Sequence, residues 1–479
     1  RRAREKRSSA PSRSGVADRD VLMTRSKATR HEEGRSRPEG TPGQEAKVRT
    51  QSRVALPHNL TMVNEAAQRS QRTRFTALLH HIDLPALSRS FFRQKRQAGA
   101  GVDGVTVADY ERDLHTRIHR GSYRPHPVRR SYIPKPDGGS RPIGIPAMED
   151  KIVQGAVAEL PSTIYEVDFC NFSYGFRPGR NPHQVLDALH TGLMTLRVNW
   201  VLDADIRSFF DSVDHGMLLR MLDRRIGDPR IIELIKRWLK AGVMENGQRS
   251  DTVEGTPQGA GISPLLANVF LHYALNLWVS DWRRTKAAGR VIFVRYADDF
   301  VLGFQRKQDA LRFQAELRDR LRKVGLRLNE DKTRLLSFGA YAKTPQNKLG
   351  RKRPETFDFL GFTHYCSTSR NGRHVVKRKT QRKRLHKKPK ALRAQLKAKR
   401  HWPVIEQWRW LCSVLKGHYN YYGLPSSIHS LQVFCHQVLK AWIKWLRRRS
   451  QKNRRNWKQF YSFLDSCFPL PQPRITHPR

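Results

Sequence analysis

Val291-Ile-Phe-Val-Arg-Tyr-Ala-Asp-Asp-Phe-Val-Leu-Gly-Phe304 decides the fold of this 479-residue chain. Two short runs of β-branched and aromatic residues flank the adjacent carboxylates Asp298 and Asp299. Such runs predict two buried strands with the acidic pair at the tight turn between them. Two carboxylates about 4 Å apart at an effective dielectric near 20 repel by roughly 4 kcal/mol. A fold accepts that at the end of a core hairpin when a cation offsets it. Magnesium suits an oxygen-only site that completes its shell with water and substrate phosphates. A polar turn is the plain alternative, since Asp is common in turns; the apolar flanks and the segments below weigh against it.

Working outward, Trp200-Val-Leu-Asp-Ala-Asp-Ile-Arg-Ser-Phe-Phe-Asp-Ser-Val-Asp214 supplies further carboxylates. Asp203 and Asp205 alternate along a strand-like run and so share one face. Asp205 sits at the expected strand end, where it can converge on the acidic pair as a third ligand of a two-metal clamp. Asp211 and Asp214 suit the cap of a following helix. Gly255-Thr-Pro-Gln-Gly-Ala-Gly-Ile-Ser-Pro264 is a Gly- and Pro-rich loop leading into a helix, able to offer backbone N–H groups to a phosphate or a flat base.

Composition points to the substrate class. Lys plus Arg number 91 against 42 Asp plus Glu, a formal charge of +49. A nucleic-acid backbone is the natural counterion for that excess. No apolar run approaches the ~18 residues of a membrane span, so no membrane partner is expected. No hydrophobic segment stands near Arg1, so no secretory signal is expected. The five cysteines are dispersed without a Cys-x-x-Cys pair, which argues for reduced thiols, a cytoplasmic setting and no structural zinc.

The rest of the chain divides by composition. Residues 1–60 read as a flexible basic arm. Helical spacing runs from Thr61 to Lys95, and again from Thr106 to His119. Ser131 to Pro146 reads as two strands joined by an Asp-Gly-Gly turn. Helices are expected over Glu149 to Leu160, Pro264 to Trp282 and Gln308 to Val324, and one short strand over Phe357 to His364. Arg373 to Arg400 holds fourteen Lys or Arg and no acid. It reads either as a solvated helical face or linker, or as an RNA-binding surface. His401 to Leu415 and residues 432–449 read as amphipathic helices with basic outer faces, and the tail beyond Pro469 as extended.

Taken together, the Asp205 segment, the Pro-Gln-Gly loop and the Tyr-Ala-Asp-Asp hairpin, in that order, resemble reverse transcriptases. The resemblance is strongest to the group II intron-encoded reverse transcriptase/maturases. Gly101-Val-Asp-Gly104, Ile133 to Pro146, Ser173-Tyr-Gly-Phe-Arg-Pro-Gly-Arg180, Ser263 to Asn268, Gly325 to Lys332 and Leu415-Lys-Gly-His-Tyr-Asn-Tyr-Tyr422 add to it. It covers residues 60 to 450 or so, and the combined motifs are specific.

The resemblance implies an α+β right-hand polymerase. Fingers and palm with an antiparallel sheet would span 61–365, a helical thumb/maturase domain 366–430, and a basic DNA-binding appendage 431–479. It makes Asp205, Asp298 and Asp299 ligands of two Mg2+ ions, with the Ile206 carbonyl completing one shell. Lys135 and Arg141 would hold the deoxynucleoside triphosphate, and Gln258 and Gly259 would lie along nucleotide and template. Phe210 would be the gate against a ribose 2′-OH, or a core residue. Lys332 would be the general acid for pyrophosphate, or an exposed flank. Asn268 would bond backbone near the nucleotide, or be a buried helix amide. Tyr296 would support the primer end.

Lys383, Arg384, Lys387, Lys388, Tyr419, Tyr421 and Tyr422 would contact RNA. The implied partners are the group II intron RNA, target DNA and a primer strand; the sequence leaves the oligomeric state open. Lacking paired cysteines, the chain is expected to have no HNH endonuclease. The implied function is RNA-directed DNA synthesis with assistance to intron splicing and copying of the intron at a target site. A reverse transcriptase without an intron, domesticated or CRISPR-associated, and a non-enzymatic RNA chaperone are the alternatives; the intact acidic triad counts against the last.

Overall fold

The computed structural model describes residues 57–94, 107–134, 139–245, 247–251, 254–256, 258–340, 355–449 and 456–477. The readings on the arm before residue 57, on Gly101 to Gly104, on Lys135 and on the tip of the 131–146 hairpin lie outside these residues. The described residues belong to one unit, Arg53–Arg479.

The chain begins with helices α1 (His58–Arg69), α2 (Leu84–Phe92) and α3 (Val107–His119), then a hairpin of β1 (Val128–Pro134) and β2 (Ser140–Ile145). Helices α4 (Met148–Asp168) and α5 (Pro182–Thr195) follow, then β3 (Trp200–Ala204), α6 (His215–Asp223), α7 (Pro229–Leu239), β4 (Val243–Glu245) and β5 (Gln248–Ser250). Next come α8 (Ser263–Leu271) and α9 (Leu277–Thr285), joined by a π-helical turn at His272–Asn276, so the expected apolar helix is continuous but locally widened. The hairpin β6 (Val291–Tyr296) and β7 (Asp299–Phe304), α10 (Lys307–Lys323) and β8 (Arg334–Ser337) complete this half. The remainder is β9 (Phe357–Phe359), β10 (Phe362–Thr368), β11 (His374–Thr380), then α11 (Arg382–Ala398), α12 (Val404–Tyr422), α13 (Ile428–Arg447) and α14 (Trp457–Cys467).

The central sheet has the order β6-β7-β3-β8 and every neighbouring pair is antiparallel. Period-2 alternation gives it two apolar faces. Leu202, Ala204, Phe293, Phe300 and Leu302 turn to one core with α4, α8 and α10. Val201, Ile292, Val294 and Val301 turn to a second core shared with α5 and the helices beyond Arg382. A second sheet, β2-β1-β4-β5, is not purely antiparallel, because β1 and β4 run parallel.

Three expectations change. The single strand expected at 357–364 is two strands, β9 and β10, reversed at Leu360-Gly361. The division at 365/366 therefore falls inside β10 and that at 430/431 inside α13. Leu431, Phe434, Val438 and Trp442 are buried in the second core, so this stretch of the expected appendage is part of the helical domain. The basic run after Arg373 is strand β11 and then helix α11, whose Leu385, Pro389, Leu392 and Leu396 form one inward stripe. Among the described residues no helix is long and apolar enough to cross a membrane.

Candidate active site

The catalytic end of the central sheet is built by the β6–β7 turn. Tyr296 pairs with Asp299, which leaves Ala297 and Asp298 as a two-residue loop. Ala297 has φ 57°, the left-handed region that such hairpin turns use and that costs a non-glycine about 1 kcal/mol. The fully buried Arg295 offsets that cost. Its Nη1 donates to the Ala297 carbonyl at 2.6 Å and to Asn268 Oδ1 at 3.2 Å. Nε donates to Asn276 at 3.0 Å and Nη2 to Ser173 Oγ at 2.6 Å. Burial, and then the charge of Arg177, lower this guanidinium to about 9. Sequence reading missed Arg295; its signal was a charged residue interrupting an apolar strand.

Strand parity puts Tyr296, Asp299, Asp203 and Asp205 on the sheet face opposite Arg295. Burial among its neighbours first, and then the charges of Asp298, Asp205 and Asp203, push the Asp299 carboxyl up to about 7, a shift that its exposure to solvent screens. Asp298 is raised too, by burial and by Asp205, while Arg141 and Arg295 oppose the shift. Arg141 is exposed on β2, close enough for its charge to act on Asp298. Asp205 accepts from Lys332 Nζ at 3.1 Å and from Asn329 Nδ2 at 3.0 Å. Ile206 is buried and bridges to Leu328. Asp203 pairs with Arg334 at 3.1 Å.

Among the described residues no group of three His, Cys, Asp or Glu side chains is gathered closely enough to hold a metal ion as it stands. The expected triad is brought to one end of the sheet but not into one shell. Lys332 is the local cation of Asp205, its Nζ 3.1 Å from the carboxylate. The donor set still fits magnesium: it is all oxygen, and burial followed by the neighbouring carboxylates already raises the Asp299 carboxyl.

Phe210 lies half-buried on a 3-10 turn, edge-on to Phe209 at 5.2 Å, and its carbonyl accepts from Thr256 N at 2.7 Å. The loop carrying Gln258 and Gly259 docks on β2. Gln258 O accepts from Gly144 N at 2.7 Å, and a Cβ on Gly259 (φ 112°) would stand 2.7 Å from Gly144 O. Gly259 is thus used for close approach to protein backbone.

Asn268 is a buried helix amide whose bond to backbone goes to Gly175, the residue wedged against the catalytic turn. It is 1% exposed, donates to Gly175 O at 2.8 Å and accepts from Arg295, so both polar ends are spent inside the protein.

The tyrosines expected at RNA are corrected. Tyr419 and Tyr422 are buried in the second core, and Tyr419 OH donates to Pro471 O at 3.1 Å. Tyr421 is half-buried, donates to Leu360 O at 2.9 Å, and burial pushes its phenol up to about 12, with Tyr422, Tyr296 and Asp299 adding to the shift. Apolar burial outbid the ring surfaces that RNA would use. On α11, Lys383, Arg384 and Lys387 are exposed. Lys388 keeps an exposed flank, but its ammonium turns to His418 Nδ1 at 3.2 Å and to the Phe434 ring, and burial lowers its pKa.

A sheet-end carboxylate beside an acidic hairpin turn, faced by a basic hairpin and backed by a helical domain, defines the palm of a template-directed polymerase. The family model described as "Reverse transcriptase (RNA-dependent DNA polymerase)" matches residues 133–364. "Protein YkfC" of Escherichia coli is 36% identical over 274 residues, covering 49% of this chain and 71% of that protein. "Group II intron-encoded protein LtrA" of Lactococcus lactis is 34% identical over 222 residues, covering 44% of this chain and 37% of that protein. "Putative COX1/OXI3 intron 1 protein" of Saccharomyces cerevisiae is 25% identical over 338 residues, covering 59% of this chain and 40% of that protein. The chain belongs to the reverse transcriptase family, and group II intron-encoded proteins are among its relatives.

Proposed function

We propose that this protein is an RNA-directed DNA polymerase that binds its own intron RNA, assists its splicing and copies it into DNA from a primer at a target site. The observation that carries this reading is the convergence of Asp205, Asp298 and Asp299 on one end of the sheet, with Asp299 held near 7 by burial and like charge. These three carboxylates, with the Ile206 carbonyl, would hold two magnesium ions. When bound, such ions activate the primer 3′-hydroxyl and neutralise the triphosphate. Arg141 binds the incoming triphosphate, as a tetra-anion requires. Phe210 limits the space beside its sugar. Lys332 stands where it can deliver a proton to the departing pyrophosphate. The Gln258–Gly259 loop, tied to β2, carries nucleotide and template contacts against the hairpin that bears Arg141.

The exposed basic face of α11 supports binding of a polyanion, and an intron RNA is the one the family implies. The five cysteines are all free thiols, in keeping with a reducing cytoplasm. The direct test is extension of a DNA primer on an RNA template by the purified chain, with magnesium and deoxynucleotides. No extension would refute the enzymatic half of the proposal. Equal affinity for intron RNA and for an unrelated RNA of the same length would refute the maturase half.

A further inference from the structure

Among the described residues five non-glycines have positive φ, and only Phe176 joins that backbone (φ 59°) to an exposed large apolar side chain, 52% exposed. Both neighbours are locked. On one side, Gly175 is wedged against the catalytic turn so closely that a Cβ there would strike the Ala297 backbone. On the other, Arg177 is buried and donates to Glu166 Oε1 at 2.6 Å, to Cys170 O at 2.9 Å and to Ser173 O at 2.7 Å. The preceding residues extend the central sheet beyond β6. Tyr174 N donates to Arg295 O and Arg295 N to Phe172 O, both at 2.9 Å, with a parallel bridge between Ser173 and Arg295. A parallel segment ends where its neighbour ends, so Phe176 emerges at the same end of the sheet as Asp298 and Asp299. A fold free to choose would place glycine at such a backbone. Strain of this kind persists where the surroundings over-determine it, and it clusters at functional sites.

We propose that Phe176 is a nucleic-acid contact, its ring packing on a base or sugar of the primer–template duplex beside the primer end. Its flank supplies a cation and not an apolar patch: Arg180 lies over the Tyr174 ring at 5.2 Å, and Pro178 and Gly179 are exposed. An exposed aromatic beside a cation fits a polyanion with flat faces, where aromatic–base stacking adds to charge. A protein partner would ask for a wider apolar surface. The inference rests on the polymerase reading.

The test uses the full chain and an RNA-template/DNA-primer duplex, with affinity read by fluorescence anisotropy and stability by thermal melting. Phe176→Gly should weaken duplex binding about tenfold, the factor that ~1.4 kcal/mol of lost stacking gives, while the melting temperature stays level because glycine adopts this backbone freely. Phe176→Trp should bind within about twofold of the native chain, since the larger ring keeps the stacking face. A purely structural Phe176 would give the reverse for the glycine variant, a lower melting temperature with unchanged affinity, and would overturn the proposal. The readout needs no catalysis. A native chain that binds duplex but never extends it sinks the polymerase reading, whereas unchanged binding by Phe176→Gly sinks only this inference.

Discussion

Lys332 Nζ stands 3.1 Å from Asp205 Oδ2, so the carboxylate at the end of β3 is held by a lysine ammonium on the loop before β8. A metal entering at that oxygen competes with the lysine, and the proposed role of the freed lysine is to protonate the pyrophosphate. Lys332→Met should therefore act twice. Half-saturating magnesium should fall about two- to fivefold, the worth of an exposed ion pair at ~0.4–1 kcal/mol. The maximal rate at saturating magnesium should drop by about a hundredfold, the lower end for a lost general acid. Single-nucleotide incorporation across a magnesium titration reads both. An unchanged maximal rate would make Lys332 a structural partner of Asp205 and nothing more.

Phe210→Ala should admit ribonucleotides. The ring is half-buried and not sealed in the core, and the main-chain bond from Thr256 to its carbonyl does not need the side chain. Primer extension with ribonucleotides alone should rise at least about tenfold as the steric block to a 2′-OH is removed, a discrimination within reach of ~1.4 kcal/mol. Equal ribonucleotide use by variant and native enzyme, with deoxynucleotide synthesis intact, would assign Phe210 to packing.

In the metal-free protein the contribution of Asp299 to stability should fall as pH rises from 5 to 8. Asp299 titrates at about 7 in the fold against an ordinary 3.8. Between those values the folded state binds more protons than the unfolded one, so its advantage fades as pH climbs through the window and is gone above about 7. The melting temperature of Asp299→Asn should rise relative to that of the native chain as pH increases from 5 to 8, by an amount that solvent exposure of Asp299 reduces. Thermal melts in a chelator check this. A native-like pH slope in the variant would mean that Asp299 is not under the strain described.

Much of this site was legible because it follows strand parity. The acidic turn, the shared face of Asp203 and Asp205 and the cap supplied by Asp214 to α6 all follow from local spacing. The structure departs from the sequence where partners lie far along the chain. Asn268 is settled by Gly175, 93 residues away, and Tyr419 by Pro471, 52 residues away. Neither partner carries a local signal. Strand β11 was hidden because its alternation is written in basic residues. Arg378 on that strand is 2% exposed and pairs with Asp187 at 2.9 Å, which composition alone reads as solvated charge.

RNA binding should follow the exposed cations of α11 and not the tyrosines of α12. Changing Lys383, Arg384, Lys387 and Lys390 together to Gln should weaken intron RNA binding and reduce its salt slope by about three, at 0.7–0.9 per lost phosphate contact. Tyr419→Phe should leave that affinity unchanged and cost about 1 kcal/mol of stability through the lost bond to Pro471. Filter binding at several salt concentrations separates the two. A weaker Tyr419→Phe complex with an unaltered melting temperature would restore the tyrosine to the RNA surface.

The central claim is that the β6–β7 turn and Asp205 form a polymerising site distinct from the surfaces that hold RNA. It is tested most directly by assaying the Asp298→Ala/Asp299→Ala double variant side by side for primer extension on an RNA template and for intron RNA binding. The account predicts extension below detection, with RNA affinity and melting temperature at or above those of the native chain. Primer extension by the double variant at a rate near native would contradict it.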